Sequence, residues 1–109
     1  MAADVAKAIA DSLGVPIKYV TFKSPGELAD QAGKGVWDIG LIGAEPQRAV
    51  VMNFSAAYVE IEATYMVPPG SPIASMAEVD RPGVRIAVTA RAAYDLWLER
   101  NIRDAVLVR

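Results

Sequence analysis

The sequence contains no cysteine and no histidine. Without thiols it has no disulfide, no thiolate nucleophile and no cysteine-ligated metal centre. Without imidazole it has no serine triad of the usual kind and no histidine base or metal ligand. Any chemistry would have to use carboxylates, Lys, Tyr or Arg. These absences favour a binding protein over an enzyme, and no metal or cofactor is predicted.

Positive charge is also scarce. Lys and Arg number 11 against 13 Asp and Glu, which gives a formal net charge of −2. This balance argues against a nucleic-acid partner, because such partners select clustered basic residues.

Long apolar segments are missing as well. The longest charge-free run, residues 63–77, is interrupted by Pro68, Pro69, Gly70 and Pro72, whereas a membrane-spanning helix needs about 20 apolar residues. The first residues have no basic region followed by an apolar stretch, so no signal peptide is predicted. A cytoplasmic location would follow if the reading frame starts at Met1.

What the chain does have is enough apolar character for one small folded domain. Its 109 residues are 53% hydrophobic, which excludes a disordered tail. Many of these residues are alanines, which carry little apolar area each. We therefore expect a thin core.

Two helices are predicted in the first third. Val5, Ile9 and Leu13 recur at helical spacing, and Gly14 is expected to end that helix in a left-handed conformation. Asp4 would be its N-cap only if the first three residues lie outside the helix. The second helix begins at the sequence Ser24-Pro25-Gly26-Glu27, which has the pattern of a capping box.

The remaining patterns alternate between strands and helices, which predicts an α/β fold with mainly parallel sheets flanked by helices. Composition and apolar runs predict strands at 17–22, 37–43, 58–67, 84–88 and 105–108. Helical turns or helices are predicted at 46–50, 76–79 and 92–100, with Leu96 and Trp97 facing inward in the last of these.

The segment 58–67 has the longest period-two pattern of the chain. A strand of this length would span about 33 Å, and we expect it to leave one sheet and enter another. It therefore serves as a predicted hinge strand between two lobes, residues 1–61 and residues 62–109.

Several sequence pieces occur in a characteristic order: Gly35-Val36-Trp37-Asp38-Ile39-Gly40-Leu41-Ile42-Gly43, then Arg48, then Asn53-Phe54-Ser55-Ala56-Ala57-Tyr58. Further pieces are Ser71-Pro72-Ile73, Gly83-Val84-Arg85-Ile86-Ala87-Val88 and Ala93-Tyr94-Asp95-Leu96. Together they resemble the bacterial extracellular solute-binding proteins of family 3, type 2 periplasmic binding proteins that serve amino-acid ABC transporters. The resemblance implies two lobes that clamp a ligand between them, a periplasmic location and an ABC transporter permease as partner.

The resemblance also implies a ligand site around Arg48, which would take the α-carboxylate of the ligand. A guanidinium suits this role because its paired donors match a carboxylate and it stays charged. Gly43, Ala44 and Glu45 form the ligand loop, and the Glu45 carboxylate would take a ligand ammonium group. The alternatives are a solvated surface arginine at position 48 and an ordinary exposed carboxylate at position 45.

Other positions are weaker candidates. The Tyr58 ring would face the cleft, or else pack in the core or at the hinge. Trp37 is interpreted as a buried packing anchor, and Asp38 as a residue that bonds backbone amides at a strand edge. In the second lobe, family members present a Gly-Ser/Thr step at a helix N-terminus, but here Arg91 and Ala92 occupy it. Ala92 therefore supplies a backbone amide without the hydroxyl, which weakens ordinary amino-acid affinity.

Family members are longer, so the resemblance implies a chain truncated at both ends. The family's first strand would lie between the segments 17–22 and 37–43, and its absence predicts a homo-oligomer that supplies strand pairing in trans, by exchange of the strand 58–67.

Three functions follow from this comparison. The first is the solute-binding component of an ABC transporter, or a truncated remnant of one, for an amino acid or related carboxylate. The second is a non-binding oligomeric remnant. The third is an enzyme similar to cyclohexadienyl or arogenate dehydratases, with Glu45, Glu60 or Glu62 as the acid.

Overall fold

A computed structural model describes the whole chain, Met1–Arg109. In chain order its elements are α1 (Ala2–Leu13), α2 (Pro25–Asp30), α3 (Pro46–Ala49), a 3₁₀ turn (Met76–Glu78), β1 (Arg85–Ala87), α4 (Ala93–Asn101) and β2 (Val106–Val108). The two strands form one parallel sheet, so the predicted α/β class is confirmed. The chain divides into two units, Met1–Phe54 and Ser55–Arg109. The lobe boundary after residue 61 stays a prediction.

Helix α1 ends as its sequence predicts. Gly14 has a φ of 67°, the left-handed region that glycine adopts without a steric penalty, and the Val15 N–H donates to the Ala10 carbonyl at 3.1 Å. The conditional N-cap role of Asp4 is not realised, because the helix already begins at Ala2. Asp4 instead lies in the first turn, where its carboxylate is 2.7 Å from the Met1 amine.

Helix α2 is fixed by local capping. The Ser24 side chain accepts a hydrogen bond from the Glu27 N–H at 3.2 Å, and Pro25 occupies the first turn. The Glu27 carboxylate accepts from the Lys23 N–H at 3.0 Å, one residue upstream of the predicted partner. A complete capping box does form at the 3₁₀ turn, between Ser75 and Glu78. The predicted helix and the predicted turn are both confirmed.

Three predicted strands are not formed. The segments 17–22, 37–43 and 58–67 contain no strand and make no backbone-to-backbone ladder, so the long hinge strand is wrong as secondary structure. The reason is physical: a strand is stable only when a neighbouring strand pairs its amides and carbonyls, and high β-propensity does not supply that neighbour. These segments have side chains typical of strands, but no neighbouring strand pairs with their backbone.

The second unit does form a sheet. Strand β1 pairs with β2 in parallel, with Ile86 opposite Leu107. The ladder continues beyond the strand ends, since the Val88 N–H donates to the Val108 carbonyl at 2.8 Å and the Val106 N–H donates to the Val84 carbonyl at 2.9 Å. Helix α4 connects the two strands, as parallel pairing requires. The predicted strands at 84–88 and 105–108 and the helix between them are confirmed.

The core is thin, as the alanine content predicts. The buried apolar residues are Ala10, Val79, Ala92, Leu96 and Leu98. Leu96 faces inward as expected, but the prediction for Trp97 is wrong, because 51% of it is exposed. The buried residues of α4 are Asp95, Leu96 and Leu98, and at about 100° per residue they share one side of the helix, with Trp97 on the opposite side.

Candidate functional site

The candidate site begins with the loop Gly43–Glu45, which leads directly into α3. Pro46 takes the first helical position, where its missing N–H costs nothing. The Glu45 carbonyl accepts hydrogen bonds from the Arg48 and Ala49 N–H groups at 2.9 and 3.0 Å. This single turn fixes the backbone of Arg48 relative to the loop.

The Arg48 side chain is buried, with only 4% of its surface exposed. Its Nη1 donates to the Gly43 carbonyl at 2.7 Å, so the side chain folds back onto the loop that precedes its own helix. The alternative of a solvated surface arginine is therefore wrong. Because a guanidinium stays charged in proteins, this burial places a fixed positive charge against the loop.

The loop residues themselves differ in exposure. Gly43 and Ala44 are exposed, whereas Glu45 is half-buried. The loop and α3 thus combine exposed backbone, a carboxylate and a buried guanidinium within six residues. The set therefore contains one group of each charge.

A second small cluster holds the segment that precedes this loop. The Trp37 Nε1–H donates to the Leu28 carbonyl at 3.1 Å, which ties the segment after α2 to that helix. Gly40 lies against the same pair, since a Cβ there would be 3.3 Å from Leu28 Cδ2 and 3.4 Å from the Trp37 ring. Trp37 is thus a packing residue, as interpreted from the sequence, but it is half-buried and not buried as predicted. Asp38 is exposed and no strand edge exists beside it.

The other candidates belong to the second unit. Tyr58 is 56% exposed, and Ala92 is buried at the N-terminus of α4. The Ala92 N–H donates to the Thr89 carbonyl at 3.0 Å, and the Arg91 N–H donates to Asp95 Oδ2 at 2.6 Å. Both amides of this step are therefore engaged within the unit. The structure brings Gly43, Glu45 and Arg48 together, and places Tyr58 and Ala92 in the other unit.

Arg91 has an unusual backbone. Its φ of 61° makes it the only non-glycine residue in the left-handed region, a conformation that favours glycine. This agrees with the glycine that the family pattern has at this step. The bond from its N–H to Asp95 helps to hold the strained conformation.

Two acidic residues that the sequence did not single out organise the second unit. The Asp95 side chain is 1% exposed and accepts from Arg109 Nε at 3.0 Å, and this bond raises the pKa of Arg109. Asp80 accepts from the N–H groups of Arg103, Asp104 and Ala105, at distances down to 2.8 Å. The pKa of Asp80 is lowered, chiefly by the Ala105 and Asp104 amides. Asp95 had a sequence signal, since it stands at the third position of its helix as Glu27 does in α2.

No group of three or more acidic side chains is gathered in a way that could hold a metal ion. None of the helices has the length and apolar character needed to cross a membrane.

Comparison with known proteins decides the family. The family of bacterial extracellular solute-binding proteins, family 3, matches residues 1–106. The chain belongs to this family. Neither a search of curated proteins nor a search of solved structures gives a match. The family resemblance inferred from the sequence is confirmed, and with it a solute-binding role of the kind this family has.

The family consists of extracellular binding proteins and is generally non-enzymatic.

Proposed function

We propose that this family 3 protein binds a small carboxylate-bearing solute, an amino acid or a related carboxylate, and that Arg48 receives the carboxylate. The observation that carries the proposal is the burial of Arg48 together with its 2.7 Å bond to the Gly43 carbonyl. A guanidinium presents its N–H donors in a planar fork that matches the two oxygens of a carboxylate.

The energetics favour such an anchor. A long side chain that is fixed before the ligand arrives has little rotamer freedom left to lose on binding. A charge already removed from bulk water also interacts more strongly with an incoming carboxylate than an exposed one. A pre-positioned Arg48 therefore recognises a carboxylate at a lower entropic cost than a surface arginine.

The predicted site residues of the first unit have defined roles in this proposal. Glu45, half-buried at the start of α3, takes a ligand ammonium group, while the exposed backbone of Gly43 and Ala44 offers polar groups beside it. Tyr58 and Ala92 stay predicted ligand contacts of the second unit, where the Tyr58 ring is exposed and the Ala92 amide already donates to Thr89.

We propose further that the solute is delivered to the permease of an ABC transporter in the periplasm, without catalysis. Family membership supports this assignment. It is tested with the transporter of the same cell in proteoliposomes, where ATP hydrolysis should rise only when protein and solute are both added. A rise with protein alone would contradict solute delivery.

The binding proposal is tested first by changing the ligand. Calorimetric titration with pooled amino acids identifies the best ligand, which is then compared with its neutral carboxamide on the unmodified protein. Loss of the charge-assisted bonds should weaken binding by about 10- to 100-fold. Equal affinity for the two compounds would contradict carboxylate recognition, and no heat at millimolar ligand would support the non-binding alternative.

The second test changes the protein. Arg48→Lys keeps the charge but loses the planar fork, so affinity should fall at least about tenfold. The matched control is Arg85→Lys, on an exposed strand position of the other unit, which should bind as the unmodified protein does. Circular dichroism and thermal unfolding establish that both variants are folded. Unchanged affinity in a folded Arg48→Lys variant would contradict the role of Arg48.

A further inference from the structure

One segment of the chain has no backbone partner. From Ala57 to Val67 no residue takes part in a backbone-to-backbone hydrogen bond. The segment is also apolar and exposed: Ile61 is 79% exposed and Met66 is 97% exposed. A run of unpaired amides and carbonyls next to exposed apolar side chains is the kind of template to which another chain adds.

The chain as a whole exposes more surface than a monomer of its mass. Its accessible surface is 8363 Å², whereas a folded monomer of 11.6 kDa exposes about 5,800 Å². Even two separate globules of half that mass would expose only about 7,000 Å² in total. The excess over the two-globule reference is about 1,300 Å², and a standard interface buries about 800 Å² on each partner. The surface is sufficient for a stable dimer.

The pattern of the segment selects a second copy of this chain as the occupant. Val59, Ile61, Ala63, Tyr65 and Val67 alternate with Glu60, Glu62, Thr64 and Met66. In an antiparallel pair of identical segments centred on Ala63, the odd-numbered residues of one copy lie opposite odd-numbered residues of the other. Glu60 then faces Met66 and Glu62 faces Thr64, so no carboxylate lies directly opposite another.

Other self-pairings are worse. Parallel pairing in register would place Glu60 opposite Glu60 and Glu62 opposite Glu62, and like charges directly opposite each other are destabilising. An antiparallel pair centred on Glu62 would again oppose two carboxylates. A shift of the register by a single residue would mix the apolar and polar faces. Only the arrangement centred on Ala63 uses the whole segment 59–67 and avoids these costs.

A competing apolar segment is less suited to pairing. Residues 15–20 are exposed, but Pro16 has no N–H to donate. In addition, the Tyr19 hydroxyl donates to the Ala3 carbonyl at 3.0 Å, which ties that segment to α1. The segment 59–67 has neither obstacle.

We propose that two copies of this protein associate through residues 59–67, which form an antiparallel β-pair across a two-fold axis at Ala63. Such an interface is self-complementary, so it closes at the dimer. The pairing segment contains neither Arg48 nor the loop Gly43–Glu45, and the proposal does not depend on solute binding.

The first test is the oligomeric state. Sedimentation equilibrium at micromolar concentration should give twice the chain mass of 11.6 kDa. Ile61→Lys should shift the protein to the monomer, because it places a charge at the centre of the apolar face. The control, Val50→Lys, changes a position that is 84% exposed and lies outside the segment, so it should remain dimeric. A monomeric unmodified protein, or a dimer unaffected by Ile61→Lys, would overturn the proposal.

The second test is the register. The chain has no cysteine, so a single introduced thiol reports on one position without background. Ala63→Cys should form an intermolecular disulfide on mild oxidation, because the two copies of residue 63 lie directly opposite each other at about 4.5–5.5 Å between Cβ atoms. Glu60→Cys should not, since its two copies are about six residues, or roughly 20 Å, apart. Equal cross-linking of the two variants, or cross-linking of Glu60→Cys alone, would overturn the arrangement.

Discussion

The two units of this protein contain similar local signals but realise them differently. Met1–Phe54 forms three helices and no strand, although two of its segments have the composition of strands. Ser55–Arg109 forms a parallel sheet with a helix between its strands. The comparison shows that helices follow from local sequence, whereas a strand forms only where the chain supplies a second strand.

Carboxylates make the same distinction. In the first unit, Glu27 accepts from an amide four residues away and stabilises only its own helix. In the second unit, Asp80 accepts from amides 23 to 25 residues further along the chain. Asp80 thus fixes the loop before β2, and Asp95 links α4 to Arg109 after that strand. The second unit is held by long-range polar contacts that the first unit has little of.

The largest expected difference between the units is in amide hydrogen exchange. The Val88 and Val106 amides, which bond across the sheet, should exchange on the order of 100-fold more slowly than the unbonded amides of residues 17–22. NMR measurement of exchange rates checks this. Similar exchange rates in the two groups would show that the sheet gives its amides no protection. The two units would then not differ in backbone stability.

A smaller effect concerns acid. The folded-state pKa of Asp80 is lowered by the Ala105 and Asp104 amides, so its contribution to stability is fully present above the unfolded pKa of about 3.9. That contribution is lost as the pH falls through the lower folded value. Asp80→Asn should therefore lower the melting temperature at neutral pH, and the difference from the unmodified protein should shrink below about pH 4.

The matched control for this variant is Asp38→Asn, an exposed aspartate in the first unit. It should leave the melting temperature unchanged across the same pH range. A pH-independent difference for Asp80→Asn would contradict the role of its carboxylate charge.

The smallest expected effect is a gain in the stability of the second unit. Helix α4 has Ala92 at its N-cap and no side-chain cap. Ala92→Ser adds a hydroxyl that can accept from the first-turn amides, and it should stabilise the protein by about 1 kcal/mol in chemical denaturation. Ala93→Ser, one position later, provides no N-cap and serves as the control. If the two variants are equally stable, α4 does not gain from a cap at this position.

Local sequence signals predicted the structure best. The ends of α1 and α2 followed from Gly14 and Ser24, because a left-handed glycine and an N-cap hydroxyl act within one turn. At Tyr58–Val67 the alternating pattern predicted a strand that does not form, because such a pattern does not specify a partner strand. Trp97 was predicted to face inward but lies on the side of α4 opposite its buried residues.

The candidate site shows the same division. The motif around Arg48 pointed to the family, and the family match over residues 1–106 confirmed it. The pattern did not show that Arg48 would be buried and bonded to the Gly43 carbonyl, since burial depends on which residues surround the side chain after folding. Asp80 had no sequence signal, because its partners lie far along the chain.

The family, the helix ends and the absence of thiol and imidazole chemistry could be predicted, because they depend on residue identity and on contacts within a few positions. The pairing of the strands, the burial of Arg48 and the contacts of Asp80 and Asp95 in the second unit became known only from the folded chain. Those outcomes depend on contacts between residues distant in the chain. The free energy of such contacts is set by which groups meet after folding, and no local pattern records it.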